Sequence, residues 1–481
     1  MWYTRSYHLK RILVSYLLQY ALTVTGFFQR EKNTNTATDA AAVLPVQNPQ
    51  KPEDFRPLEN ACFQNPYAFY KLIRDQAPVY RLPNGIFCIS RYEDIVAVCK
   101  DVEGYSSFQQ GAVAGLKPGQ SIEKVGAQFA LLGDLGVVPA DVMATQDPPK
   151  HTVERKIGHA GLNARFVKSL EMDLERLCHE TMQAFLPSGR VEFMSEFGWK
   201  MPMLMIMRVL GLPDEDFPKI KAWCVHGINS QSGVAKKHEL MYSQAQVMVF
   251  VRYCWKAYLK AKSVVEQLPE EEAPENLIAL LIRATQSDSH FGDKEAVSLI
   301  FQLLIAGSDS SATSMGNAIK MLVDNPDLQQ TLRDDHEKIP AFIEEVFRLE
   351  SAFQGHFRWT KQDRELHGVK LPRGSRIFLM WASGNRDERF WDEPDQIKLN
   401  RKNGKKHLTF GHGIHACLGR ELARMEIRMV VKAFLLHTRN LRIDGDAPFV
   451  ASMFARTLVR LPLAFEPLTD GQTGGNSCSA T

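Results

Sequence analysis

The chain has 481 residues, 44% hydrophobic and 23% charged, a mix that excludes a disordered or fibrous protein and leaves room for a large core. Its 58 Lys and Arg nearly balance 55 Asp and Glu, and a net charge of +3 gives no global field for nucleic acid. The eight cysteines include no CxxC pair or finger spacing, which excludes a zinc finger and fits free thiols in a reducing compartment.

Residues 12–28 form an uncharged, mostly apolar run with Arg5, Lys10 and Arg11 before it and Arg30 and Lys32 after it. Ser15, Gln19, Thr23 and Thr25 leave it just short of a spanning helix. A membrane anchor, the apolar part of a signal peptide, a targeting helix and a dispensable extension all remain open, and the last is favoured. Residues 33–52, rich in Asn, Thr, Ala and Pro, read as a linker, so 1–56 is an extension and the folded domain spans 57–467. The Gly/Ser/Thr tail 468–481 reads as disordered.

Val79 to Leu82 and Gly85 to Ser90 predict a hairpin, and Tyr92 to Lys100 a helix. Gly104 to Gln146 is a long Gly- and Ala-rich loop, of a length usually kept for function. In D-P-P-K-H-T-V-E-R, Asp147 to Arg155, the two prolines suit a helix start and put His151 and Arg155 on one face. Val167 to Leu186, Trp199 to Leu212 and Met248 to Gln267 are periodic, whereas Asp216 to Val247 is less regular. The string M-P-M-L-M-I-M, Met201 to Met207, reads as adaptable core packing. Asp293 is the expected N-cap of an apolar helix that runs to about Val323 and stops at Asn325-Pro326. Its middle reads A-G-S-D-S-S, Ala306 to Ser311, and Gly307 there costs about 1 kcal/mol relative to Ala. Small residues, an acid and hydroxyls are poor choices for plain packing.

Pro340 opens a helix in which Glu345 and Arg348 are an i,i+3 pair, followed by Q-G-H-F-R from Gln354 to Arg358. N-R-D at Asn385 to Asp387 and F-W-D-E-P at Phe390 to Pro394 come next, with Lys402, Lys405 and Lys406 after them. Then comes F-G-H-G-I-H-A-C-L-G-R-E-L-A-R, Phe410 to Arg424, with Cys417 between a glycine-permitted turn and a helix start. A helix N-terminus stabilises a thiolate, and glycines without Cβ let backbone lie against a flat partner. Leu458 to Pro462 is strand-like.

The cysteine string resembles, residue for residue, the haem loop of the cytochrome P450 family in its soluble bacterial form, and the other strings follow that family's order over about 57–467. The resemblance implies one mainly α domain with a small β-rich subdomain, in place of the roughly three domains that length suggests. It implies haem b with Cys417 as axial thiolate, bordered by Phe410, Gly411 and Gly419. His151, Arg155, Arg358 and His415, assisted by His356, would hold the propionates. Ala306 and Gly307 would form the oxygen groove, and Asp309 and Ser310 would manage protons. Ser310 stands where the family more often has Thr, which loses a β-branch and predicts poorer coupling. Glu345, Arg348 and Arg401 would form a structural network.

The implied activity is monooxygenation with dioxygen. No flavin or nicotinamide motif is present, so the expected partners are a ferredoxin-type protein and its NAD(P)H reductase, docking on the lysines with Arg420 and Arg428 nearby. Gln302, Ala306 and Ser310 fall four apart, so Gln302, with Phe353 and Gln354, is expected to line a pocket for an apolar substrate carrying a carbonyl or hydroxyl. The alternatives are a haem-thiolate peroxygenase or isomerase and a non-catalytic haem-binding protein; neither needs the Asp309–Ser310 pair. The expected location is cytoplasmic, with membrane association through 12–28 as the variant.

Overall fold

The structure, a computed structural model, describes residues 48–108, 142–229, 237–269, 272 and 274–468. The apolar run 12–28, most of the loop after Gly104 and the tail from 469 lie outside the described residues.

In chain order the helices are α1 (Asn60–Gln64), α2 (Tyr67–Gln76), α3 (Tyr92–Lys100), α4 (Lys150–Gly161), α5 (Ala164–Ser169), α6 (Glu171–Gln183), α7 (Lys200–Leu210) and α8 (Phe217–Asn229). They continue as α9 (Lys237–Val265), α10 (Leu277–Ser287), α11 (Asp293–Asp324), α12 (Pro326–Asp334), α13 (Ile339–Leu349), α14 (Trp381–Gly384) and α15 (Arg420–His437). The strands are β1 (Val79–Arg81), β2 (Phe87–Ile89), β3 (Tyr105–Ser106), β4 (Arg190–Glu192), β5 (His356–Thr360), β6 (Arg364–Leu366), β7 (Val369–Leu371), β8 (Arg376–Leu379), β9 (Thr438–Ile443) and β10 (Pro462–Pro467). The main sheet has the order β1-β2-β8-β5-β3, with β2 and β8 parallel and the other pairs antiparallel. The two smaller sheets are β4-β10-β9 and β6-β7.

The organising element is α11, whose 32 residues span about 48 Å at 1.5 Å each. Leu299, Ile300, Leu304, Met315, Ile319 and Leu322 are buried, so the helix is apolar nearly all round and packs against α7, α9, α10, α13 and α15. The Met-rich stretch is core: Met201, Met203, Met205 and Met207 of α7 are fully buried against it.

Several expectations shift. Periodic residues 167–186 break at Leu170 into α5 and α6, where Asn163 caps α5 by accepting the Phe166 N–H at 3.0 Å. The irregular stretch 216–247 is helical over most of its described length, because tertiary burial of Ile220, Cys224 and Phe250 overrides a weak local pattern. Gly292, not Asp293, caps α11; its N–H donates to Glu295 Oε2 at 3.1 Å, which frees Asp293 to pair with Lys262 at 2.7 Å. The closing strand starts at Pro462, and Leu458 makes only an isolated bridge with Phe449. Phe55, ahead of the expected boundary at 57, is buried against Tyr70 and Tyr80.

Candidate active site

The cysteine loop is held from inside. Gly411 and Gly413 have φ of +68° and +71°, and a Cβ on Gly413 would lie 2.5 Å from the Cys99 carbonyl oxygen, so only glycine fits there. The Cys417 N–H donates to the Phe410 carbonyl at 2.7 Å and closes the loop. Gly419 is the N-cap of α15, and its N–H reaches the Cys417 sulfur. Burial raises the thiol's pKa, while that N–H and the charges of Arg155, Arg420 and Arg424 oppose the rise. Arg155 Nη2 donates to the Ala416 carbonyl beside the cysteine, and its Nε reaches His159 at 3.2 Å.

Around the loop stands a ring of buried donors. The His151 and His415 rings lie 4.2 Å apart, and the Nε2 atom of each is buried without a partner among the described residues. Burial pushes their pKa values down to about 4 and about 2, so both are neutral at pH 7. His356 and Arg358 share one face of β5. Trp381 Nε1–H donates to His356 Nδ1 at 2.8 Å, which leaves the ring proton on Nε2. Arg358 is buried, and among the described residues its Nη1 reaches only its neighbour's carbonyl, Phe357 O, at 2.7 Å.

Buried cationic and N–H donors without an anion are costly, so this donor set fits a ligand with two carboxylates lying against the loop. A sulfur flanked by glycines suits a metal at the centre of a flat macrocycle, and metal coordination would displace the thiol proton. Haem has both features.

The middle of α11 is the second half of the site. Ser308, Ser310 and Ser314 donate back to the carbonyls of Leu304, Ala306 and Ser310 at 2.7, 2.8 and 2.8 Å, a pattern that bends helices. Asp309 is buried, its Oδ2 has no partner among the described residues, and burial alone raises its pKa to about 7. Ala306 is exposed beside Ser310. A Cβ on Gly307 would meet Ile206 at 3.1 Å, so this glycine also permits the approach of α7 to α11.

The expected pocket amides do not stand free. Gln354 is buried; its Oε1 accepts from Tyr70 OH at 2.9 Å and its Nε2 donates to Ser351 O at 3.1 Å. Gln302 Oε1 accepts the Ala144 N–H at 3.1 Å. Gln354 is corrected to a structural tie, while Gln302 has only its oxygen engaged, which narrows the basis for a carbonyl or hydroxyl on the substrate to one amide. Phe353 is half-buried, with its ring 5.5 Å from His356 and 4.7 Å from Phe454.

Glu345 and Arg348 meet in two 2.8 Å hydrogen bonds, both fully buried, and Arg401 Nε reaches Glu345 Oε1 at 3.1 Å. Three features were not read from the sequence. Glu344 accepts from Arg424 at 2.7 Å and sits 3.2 Å from His407, and Arg424 lies 4.9 Å over the Phe410 ring, so the loop is braced against α13. Glu350 pairs with Arg456 at 2.7 Å under Tyr67. Glu426 of α15 is buried and bonds Ser311 of α11. The adjacent acids Glu344-Glu345 and an acid on the apolar face of α15 were the available signals.

Lys402, Lys405 and Lys406 are exposed, and Arg420 is exposed beside Cys417, whereas Arg428 is taken by Glu171 at 2.7 Å.

A sequence profile described as Cytochrome P450 matches residues 192–448. Cytochrome P450 144 of Mycobacterium tuberculosis (strain ATCC 25618 / H37Rv) is 28% identical over 404 residues, covering 84% of this chain and 89% of the relative. The cytochrome P450 CREJ in complex with (4-ethylphenyl) dihydrogen phosphate is 25% identical with a TM-score of 0.77, over 86% of this chain and 100% of that one. P450BioI in complex with hexadec-9Z-enoic acid ligated acyl carrier protein shares the fold, with 22% identity, a TM-score of 0.73 and coverage of 84% and 100%.

Proposed function

The chain belongs to the cytochrome P450 family and is a haem-thiolate monooxygenase; we propose that Cys417 is its axial ligand, that its substrate is an apolar small molecule, and that separate redox proteins supply the electrons. The observation that carries the assignment of the ligand is Cys417 in a glycine-shaped loop, ringed by the buried donors of His151, His415 and Arg358.

Bound haem supplies the thiolate-ligated iron at which dioxygen is reduced and cleaved. Gly419 N–H and the nearby arginines stabilise negative charge on Cys417 Sγ. His151 Nε2, His415 Nε2 and the Arg358 guanidinium bind carboxylates and so orient the macrocycle. Asp309 holds a proton close to neutrality, where a general acid transfers it best. Ser310 spends its own proton on Ala306 O and presents its lone pairs as acceptors on that face. Phe353 and Phe454 exclude water from the His356 side.

With Gln354 tied off and Phe353 and Phe454 packed beside His356, an apolar ligand is favoured. Two structural neighbours hold a fatty acyl chain on its carrier protein and an ethylphenyl phosphate, so both ligand types belong in a screen that follows the haem's spin state. Shifts with apolar compounds are expected; a bound haem that responds only to strongly polar compounds would contradict the substrate class.

The exposed Lys402, Lys405, Lys406 and Arg420 fit docking of an acidic electron donor such as a ferredoxin, reduced in turn by an NAD(P)H reductase. Lys405→Glu with Lys406→Glu should slow reduction several-fold, about 1 kcal/mol, and flatten its salt dependence. Unchanged stopped-flow kinetics would remove the patch from the account. No described helix is long and apolar enough to cross a membrane.

A further inference from the structure

Two polar side chains stand outside both the haem-binding set and the proton-handling pair, and both have spent their acceptors. Gln302 is half-buried on the face of α11 that carries Ala306 and Ser310. Its Oε1 takes the Ala144 N–H at 3.1 Å, which leaves its NH2 group to donate. In β5, His356 takes the Trp381 Nε1–H on its Nδ1 at 2.8 Å. Burial and then the charge of Arg358 push the His356 pKa down to about 3, so the ring is neutral and carries one proton, on Nε2.

His356 differs from the other two histidines of the ring. The Nε2 atoms of His151 and His415 are buried, whereas His356 is half-buried between Phe353 and Phe454, whose rings lie 5.5 and 5.2 Å from its own. Phe353 bridges to Ala455, so β5's approach and the closing segment 450–457 set an aromatic wall around one N–H. A charged carboxylate is matched by the Arg358 cation; a neutral donor between two phenyl rings suits a neutral acceptor. Acceptors are scarce on the same side. Gln302 Oε1, His356 Nδ1 and Gln354 Oε1 each already take a proton from the protein, and the Ser310 lone pairs face the oxygen groove. A ketone, ester or ether takes a proton from such donors and brings none. An alcohol accepts too, but it buries its own proton without a partner, and that desolvation is not repaid.

We propose that Gln302 and His356 are specificity residues that offer protons only, with Trp381 as the residue that positions the His356 proton, and that they select apolar molecules bearing a carbonyl or ether oxygen over the matching alcohols. The inference rests on the monooxygenase reading and names the substrate class within it.

Cyclooctanone, cyclooctanol and cyclooctane, titrated into the haem-loaded protein and followed by the haem's spin state, test this without turnover. In wild type the ketone should bind about five-fold tighter than the hydrocarbon and about ten-fold tighter than the alcohol. His356→Phe and Gln302→Leu should each cut the ketone's advantage over the hydrocarbon to about two-fold. Trp381→Phe frees His356 Nδ1 to accept, so the alcohol should come within about two-fold of the ketone while the ketone keeps its lead over the hydrocarbon. A purely structural Trp381 would weaken all three ligands alike, and the ferrous carbon monoxide spectrum of each variant reports whether the haem site is intact. An alcohol bound as tightly as the ketone in wild type, or no response to any of the three, would overturn the proposal. So would a His356→Phe protein that loses haem but keeps the ligand order, because His356 would then hold a haem carboxylate. Normal ketone selectivity in a protein that consumes no dioxygen with its redox partners would instead overturn the monooxygenase reading and leave the selectivity standing.

Discussion

The cysteine loop and the middle of α11 are built on opposite rules. In the loop, backbone bonds close the turn and Gly413 permits a contact that no side chain would, while Glu344, Arg424 and His407 lock the whole against α13. In α11, three serines back-bond to their own helix and a buried carboxyl has an oxygen with no partner among the described residues. The contrast separates two tasks. A ligand to iron must not move, so the backbone that carries it is saturated, and the donors left open are His151 and His415 in the ring around it. A group that carries protons must change state, so its surroundings are left incomplete.

If that contrast is right, damage to the saturated half should register as lost folding, and damage to the incomplete half as lost chemistry. The largest effect belongs to Arg348→Ala, which leaves Glu345 charged, buried and short of a partner. A loss of about 3–5 kcal/mol is expected in denaturant unfolding, together with weak haem retention. Asp309→Asn should leave stability and haem content near wild type and lower product formation about 100-fold, read as product per dioxygen consumed. A drop in stability with normal chemistry would reverse the assignment of the two halves.

Glu426 sharpens the comparison, because it joins them: it sits on α15, behind the cysteine, and bonds Ser311 of α11. Burial raises its pKa to about 8, with Ser311 acting in the opposite direction. The folded chain therefore keeps a proton that the unfolded chain loses above the ordinary carboxylate range. Stability from this group is full below that range and is lost as pH rises through about 8. Asp309 adds the same sign only up to about 7, so Glu426→Gln should flatten urea midpoints between pH 7 and 8. The smallest effect is Ser310→Thr, which restricts χ1 of the hydroxyl and should raise coupling about two-fold, a few tenths of a kcal/mol. Unchanged peroxide release would show that the Ser310 rotamer is already fixed by its 2.8 Å bond to Ala306.

How much of this was legible follows from how local each feature is. Cys417 with its glycines, His151 with Arg155, and Glu345 with Arg348 are encoded by spacing within a loop or a helix turn, and spacing survives in a string of letters. Gln354 was misread because its partner Tyr70 is 284 positions away, and an amide's freedom is a tertiary fact. The ring tautomer of His356 depends on Trp381, across the β5–β8 pair. Helix α8 and the part of α9 before Met248 were missed, where burial against α11 outweighs weak periodicity. A cavity beside Asp309 is assembled from α8, α11 and the closing segment 450–457, and no single stretch announces it.

The most direct test of the central claim is the absorption spectrum of the ferrous, carbon monoxide-bound protein, in wild type and in Cys417→His. Thiolate ligation through Cys417 predicts the long-wavelength Soret band of a haem-thiolate in wild type and its replacement by an imidazole-type band in the variant, with dioxygen activation lost. A haem-loaded Cys417→His protein that keeps the thiolate band would contradict the account.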